Sequence, residues 1–455
     1  MQDKIREYVK DVARLKGRPV SVCLLGYGTT NKAILKAISS HGDCREITVR
    51  QDGRIYDTPG KGVRIINGER ALDNICEDIV FASPSFRRES LDLPNGAFVT
   101  SDTELFFKEH RGNVFLVSGS DGKSTVTTLT SLLLSPTFPD LFTGGNLGRP
   151  VAEATLSANA FLLELSSFNL RYLTPRSHRA LLTNVTPNHL NWHADLDEYE
   201  NTKARLLKGT DEAILPLSCP FNIRLADDIE CFALVSLTDS DTELRSKHDT
   251  RHTVTVSGDT LLLDGEELLS IQSLRRKEKH NIENLMSAIA MSIGYASKER
   301  IREVAESFTG LAHRCELITI GKRDYIDSSI DTTPKRTAAT VTGLDREVNI
   351  ILGGRGKGLS PLPMKKPLIT YAKKISLYGE AADGLCEWIS TDAELSKIPH
   401  EKFSTLKDAI DHADDENNGT AVLLSPAATA YGEFKSFEER GCFFKEYVKR
   451  KRQEI

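Results

Sequence analysis

The chain has 455 residues, 39% of them hydrophobic and 27% charged, with a formal net charge of -5. This length predicts about three domains at roughly 100–200 residues each. The apolar content excludes a disordered chain, the acidic balance excludes a duplex nucleic-acid binder, and no run reaches the ~18 apolar residues that cross a bilayer.

The first residues, Met1 to Glu7, are charged and carry no apolar signal segment, so a cytoplasmic protein that enters no membrane is expected. Eight cysteines, at positions 23, 44, 76, 219, 231, 315, 386 and 442, form no CxxC pair. They read as reduced core residues rather than as a zinc or thioredoxin-type site.

Strands alternate with helical patterns along the chain, which predicts βαβ units and parallel sheets. Val20–Leu25 is a buried-strand run ending at Gly26-Tyr27-Gly28, with a helix around Ala33–Ile38 and further strands at Ile47–Arg50 and Asp78–Ala82. A second segment opens near residue 102. Its strands are Val114–Val117, Phe161–Leu165 and Ala180–Val185, and a helix covers Val126–Leu134. Residues 209–275 are richer in turns, with Ser257-Gly258-Asp259 and Asp264-Gly265 as hairpin signals, and Asn281–Tyr295 is helical. The third segment opens near His313-Arg314 and has strands at Val348–Leu352 and Ala421–Leu424. Its helix-like stretch Phe437–Tyr447 precedes the basic run Lys449–Arg452, for which the helix dipole is sufficient reason.

Gly119-Ser120-Asp121-Gly122-Lys123-Ser124-Thr125 is the sharpest chemical signal. A glycine turn between strand and helix aims backbone N–H groups at phosphate oxygens, Lys123 adds a full charge, and the Ser124 hydroxyl suits Mg²⁺. Val117 occupies the first glycine position of the standard loop. The turn Gly26–Asn31 is a degraded dinucleotide fingerprint, with Asn31 at the third glycine and Asp52 near the place of a ribose-binding acid. A turn that meets some other phosphate ligand suits it better than a nicotinamide site. Glu164 lies in an apolar strand, where a carboxylate is costly unless paired or metal-bound. His189, like Glu164, follows a strand on the side where open α/β sheets bind ligands.

These motifs, in this order, resemble the Mur ligases. The resemblance rests on Gly119–Thr125, Gly144–Gly148, Leu163–Phe168, Thr183–His189, Thr202–Arg205, His280–Asn284, His313–Glu316, Leu352–Lys357, Leu424–Ala427 and Phe434–Gly441, the last typical of the D-glutamate-adding members. It implies an α/β chain of three domains. Residues 1–101 are a Rossmann-like UDP-binding domain, and 102–310 a central P-loop-type ATP- and Mg-binding domain with a parallel sheet plus a smaller β-rich part. Residues 311–455 are a Rossmann-like amino-acid-binding domain. The implied reaction is ATP-driven amide formation between UDP-N-acetylmuramoyl-L-alanine and D-glutamate through an acyl phosphate. A monomer that binds no nucleic acid is expected.

By the same resemblance, Gly119, Ser120, Asp121, Gly122, Lys123, Ser124 and Thr125 hold ATP, while Ser124, Glu164, His189 and Lys203 carry two Mg²⁺ ions. Lys203, which alone reads as a solvated helix lysine, matches the family's carbamylated lysine. Asn281, Asn284, Arg314 and Asp327 match nucleotide contacts, although the two asparagines also suit a helix brace. Thr29 and Thr30 match the UDP turn; Asn146, Ser166 and Asn169 match the muramoyl-alanine end. Lys357 and Phe437 match the pocket of the incoming amino acid. The family's Asp-Ser-Lys string is here Asp327-Ser328-Ser329, Ala430 replaces a pocket serine beside Thr429, and Asn188 and Asn191 stand where aspartates are common. Lys335 or Arg336 is expected to supply the missing cation. The competing readings are a sibling ligase for another amino acid, a catalytically degenerate nucleotide-binding regulator, and an oxidoreductase using the first domain.

Overall fold

The computed structural model describes residues 1–455 apart from 40–41, 53–58, 111, 147, 188–191, 415–418 and 454–455. It divides into two compact units, Met1–Phe308 and Thr309–Ile455. Three sheets dominated by parallel pairs make the fold α/β.

The first unit opens with an amphipathic helix, Gln2–Lys16, which buries Ile5, Val9, Val12 and Ala13 at helical spacing and ends at Gly17 in the left-handed region. Charged residues surround its apolar stripe and mask the helical period in the sequence. Five strands follow: β1 Val20–Leu25, β2 Cys44–Gln51, β3 Val63–Asn67, β4 Ile79–Ala82 and β5 Phe98–Thr100. They form an all-parallel sheet in the order β3-β2-β1-β4-β5. β1 is buried along its whole length, as a continuous apolar run requires in a sheet covered on both faces. The residue in the third glycine position has a structural job: Asn31 is buried and its Nδ2 donates to the carbonyls of Leu25 and Gly26 at 2.8 and 2.7 Å, bracing the turn.

The same unit holds a nine-stranded sheet. Its strands are β6 Asn113–Ser118, β7 Phe142–Gly145, β8 Ala160–Glu164, β9 Ser177–Leu182, β10 Thr210–Pro216, β11 Cys231–Val235, β12 Thr250–Ser257, β13 Thr260–Leu263 and β14 Glu266–Ser270. The order is β14-β13-β12-β11-β10-β9-β6-β8-β7. From β7 to β12 all pairs are parallel, and β12–β14 form an antiparallel meander. Its two turns are the predicted ones, Gly258-Asp259 and Asp264-Gly265, and in the second both central residues have positive φ. Helices Lys123–Leu134 and Lys279–Ser292 share one core, with Val126, Leu129 and Leu133 beside Met286 and Ile289.

The second unit contains β15 Glu316–Ile320, β16 Arg323–Asp327, β17 Val348–Gly353, β18 Ala372–Tyr378, β19 His400–Phe403 and β20 Ala421–Ala427, in the order β15-β16-β20-β17-β18-β19. Only β15 runs antiparallel to its neighbour.

Two expectations need correction. The last helix runs Phe437–Gln453 and includes Lys451, which pairs with Asp411 at 2.8 Å and Asp414 at 3.3 Å, so this member of the basic run answers to specific carboxylates and not only to a dipole. The cysteines are all free, but only Cys23, Cys219 and Cys231 are buried; Cys76 and Cys442 are exposed. No helix among the described residues is long and apolar enough to cross a membrane.

Candidate active site

The centre of the site is built where β9, β6 and β8 end side by side. The chain visits β8 and β9 after β6, on opposite sides of it, so the crevice at this switch point is open to a ligand. Register fixes the neighbours: Val117 of β6 lies opposite Glu164, and Ser118 opposite Leu182. The glycine turn leaves β6 at this level and enters the helix at Lys123.

Two glycines are needed for the turn. Gly119 has φ +144°, and a Cβ there would overlap the Thr183 hydroxyl. Gly122 has φ +80°, and a Cβ there would overlap the Asn284 carboxamide. Asn284 therefore packs on the loop itself. Asn281 instead donates through Nδ2 to Glu278 Oε2 at 3.0 Å and braces its own helix start. The loop is cross-tied to the segment after β9. Thr183 Oγ1 donates to the Asp121 carbonyl at 2.6 Å, the Asp121 N–H donates to Asn184 Oδ1 at 3.0 Å, and Ser120 Oγ lies 2.8 Å from the Tyr199 hydroxyl. Sequence reasoning missed Thr183, Asn184 and Tyr199 as supports, since their role exists only once β9 lies beside β6.

Glu164, the last residue of β8, is 1% exposed. Its Oε2 accepts from Ser124 Oγ at 2.9 Å and its Oε1 from Asn146 Nδ2 at 2.9 Å. The buried carboxylate thus has its partners, and the pair it makes with Ser124 is a hydroxyl–carboxylate donor set suited to a hard cation such as Mg²⁺. Lys123 Nζ donates back to the carbonyls of Gly119 and Ser120 at 2.9 and 2.8 Å. Lys203, near the end of helix Leu196–Ala204, is 2% exposed and donates to the Gly119 carbonyl at 2.7 Å. Burial first, and the Lys123 charge second, hold the Lys203 ammonium well below the ordinary lysine range. The solvated-lysine reading is therefore overturned by its burial. His189, with Asn188 and Asn191, lies outside the described residues. Nearby, His193 is buried, with Nε2 3.0 Å from Ser167 Oγ.

A cavity of about 220 Å³ runs from the first sheet to Asn146, the hydrogen-bond partner of Glu164. Thr29 and Thr30 line it from one side and Asn146, Ser166 and Asn169 from the other, so all five residues matched to the UDP-sugar face one space. Ser166 and Asn169 also cap the helix Ser167–Arg171 through reciprocal side-chain bonds. The cavity adds Ser83 and Asp102, which the sequence did not single out.

In the second unit, Arg314 is exposed between His313 and Cys315, which both have positive φ. Asp327 is fully buried: Oδ2 lies 2.6 Å from His313 Nδ1 and Oδ1 accepts the Ser329 N–H at 2.9 Å. Both of its oxygens are hydrogen-bonded inside the fold, so the Asp327 carboxylate braces His313 and Ser329 in this structure. Lys357 is exposed overall and donates to Thr332 Oγ1 at 3.2 Å. Its ammonium is held below the usual lysine range by desolvation, then by Arg336 and Arg440. Arg336 is thus one of two cations whose charge weighs on the Lys357 ammonium. Phe437 accepts at its carbonyl from Ser329 Oγ at 2.8 Å, and its ring stands nearly perpendicular to that of His313.

A lysine-bearing glycine turn, a hydroxyl–carboxylate pair beyond it and a cavity leading to it define a phosphate-handling α/β enzyme. The family described as Mur ligase middle domain matches residues 117–292, and the chain belongs to the Mur ligase family. It is 32% identical over 407 residues to a UDP-N-acetylmuramoylalanine-D-glutamate ligase of Clostridium botulinum, covering 86% of this chain and 87% of that one. A ligase of the same description from Clostridium tetani is 30% identical over 446 residues, covering 94% and 96%. Among solved structures, MurF from Acinetobacter baumannii shares the fold with a TM-score of 0.52 at 16% identity, covering 94% of this chain and 90% of that one.

Proposed function

We propose that the chain is an ATP-dependent ligase of peptidoglycan precursor synthesis that joins D-glutamate to UDP-N-acetylmuramoyl-L-alanine. A carboxylate is a poor acyl donor, because its charge repels an amine and oxide is a bad leaving group. An oxygen of the alanyl carboxylate attacks the γ-phosphorus of ATP, the bond to the β-phosphate oxygen breaks, and ADP leaves. The amino group of D-glutamate then adds to the acyl phosphate carbonyl, and the tetrahedral adduct expels phosphate. Such transfers depend on positioning and charge neutralisation more than on covalent help from the protein.

The observation that carries this reading is the meeting of Lys123, Ser124, Glu164 and Lys203 at the ends of β6 and β8. Gly119–Thr125 cradle the phosphates, and Lys123 swings from the loop carbonyls to the terminal phosphates. Ser124, Glu164, His189 and carbamylated Lys203 are the residues that would hold two Mg²⁺ ions. Bound there, the metal offsets the repulsion between phosphate and carboxylate. Lys203 is suited to carbamylation because burial favours its neutral amine, which adds CO₂ with loss of a proton. Asn281, Asn284 and Arg314 are assigned to the nucleotide. Thr29, Thr30, Asn146, Ser166 and Asn169 hold the UDP-sugar, and Lys357 and Phe437 the amino acid. Residues 1–101, 102–310 and 311–455 are assigned to UDP-sugar, ATP with metal, and amino acid respectively, in a cytoplasmic monomer.

The test is phosphate release by the purified protein with ATP, Mg²⁺ and UDP-N-acetylmuramoyl-L-alanine, scanned across L- and D-amino acids. Release is expected with D-glutamate; release driven only by a different amino acid would overturn the substrate assignment.

A further inference from the structure

Cys442 lies on the exposed face of the last helix, and its Sγ is 3.8 Å from Nε2 of His313. That imidazole is buried, and its other nitrogen, Nδ1, is 2.6 Å from the fully buried Asp327 carboxylate. A carboxylate is an acceptor, so it keeps the proton on Nδ1 and leaves Nε2 free to accept from sulfur. The order thiol, imidazole, carboxylate is that of an activated nucleophile whose base is oriented by a third group.

The local backbone is committed to this arrangement. His313 lies at φ +60°, in the left-handed region that few residues other than glycine occupy, histidine being one of those that do. A Cβ at Gly441 would overlap both His313 Nδ1 and Asp327 Oδ2, so the residue before Cys442 must be glycine for the helix to come this close. The neighbouring charge is also settled: Glu316 accepts the His313 backbone N–H at 2.9 Å and is paired with Lys445 at 2.9 Å.

We propose that Cys442 is a modification site, a thiol activated by the His313–Asp327 pair that exchanges with small disulfides. The thiol proton passes to His313 Nε2, and the thiolate attacks one sulfur of the disulfide. A new bond forms at Cys442 Sγ, the original S–S bond breaks, and the departing thiolate takes the proton back from the imidazolium. One thiol and one disulfide become one mixed disulfide and one thiol, with no other oxidant. His313 and Asp327 act here as positioning residues, and this inference does not depend on the ligase reading.

Cys76 supplies an internal standard, because it is exposed but has no histidine within hydrogen-bond reach among the described residues. The full chain, freed of reductant, is mixed with oxidised glutathione, and adducts at the two cysteines are timed by peptide mass spectrometry. Cys442 is expected to react about tenfold faster than Cys76, since an ordinary thiol is only a few per cent thiolate at neutral pH. The excess should fall to about parity in urea, and also in folded His313→Gln. Equal rates in the folded wild type, or an excess that survives unfolding, would overturn the proposal. If His313→Gln does not fold, the wild-type comparison in and out of urea still decides.

Discussion

Lys123 and Lys203 donate to the same acceptor, the carbonyl oxygen of Gly119, at 2.9 and 2.7 Å. One comes from the start of the helix after the loop and the other from a helix 80 residues further on (203 − 123). Two cations on one carbonyl repel each other, and Lys203 cannot relieve this by turning to solvent because it is 2% exposed. The arrangement relaxes if Lys203 loses its proton, or if its charge is reversed by carbamylation.

This gives the first prediction. The folded-state pKa of Lys203 lies below its ordinary value of 10.5. Between those two values the unfolded chain binds the extra proton, so the Lys203 contribution to stability rises with pH across that window. Lys203→Met removes a buried charge and leaves the Gly119 carbonyl bonded to Lys123. Thermal unfolding at neutral pH should show Tm unchanged or raised, while ligase turnover is lost. A marked drop in Tm would show that Lys203 stabilises the fold as a cation.

Lys123→Ala should lower kcat on the order of 10³-fold with Tm little changed, because the lysine acts on developing phosphate charge and its two acceptors are loop carbonyls. Phosphate release beside a thermal melt checks this. Near wild-type turnover would remove Lys123 from the phosphate site.

Glu164→Gln keeps the shape of the group that bridges Ser124 and Asn146 but removes its charge. The Mg²⁺ concentration for half-maximal activity should rise about tenfold or more, as for lost metal partners generally. An unchanged Mg²⁺ titration would argue that the cation is held elsewhere.

Arg336→Ala should raise the KM for D-glutamate about tenfold, equivalent to ~1.4 kcal/mol, and leave the KM for ATP unchanged. The reason is that its positive charge lies close enough to Lys357 to be felt there, and so stands where it would attract a carboxylate of the incoming amino acid. Lys335→Ala should leave both constants alone. The opposite pattern in the two variants would reassign the substitute cation.

Much of the fold could be read from local signals. Val20–Leu25, Val114–Val117, Phe161–Leu165 and Val348–Leu352 are continuous apolar runs, and a strand buried on both faces leaves no other pattern. The helix Gln2–Lys16 is less legible, because charged residues hide its stripe of Ile5, Val9 and Val12. Within the site, the glycine loop and Glu164 were legible for the same local reason: one is a contiguous turn, and the other is a carboxylate where only apolar residues are cheap.

The amino-acid order therefore settled the strands, the phosphate turn and the odd carboxylate, since each is a property of a few adjacent residues. Folding alone determined what distant residues do to one another. It buried Lys203 and moved its titration, spent both oxygens of Asp327 on internal partners, and set Cys442 against His313 across 129 positions of chain. Desolvation and directed hydrogen bonds depend on what surrounds a group in space, and no spacing along the chain encodes those surroundings.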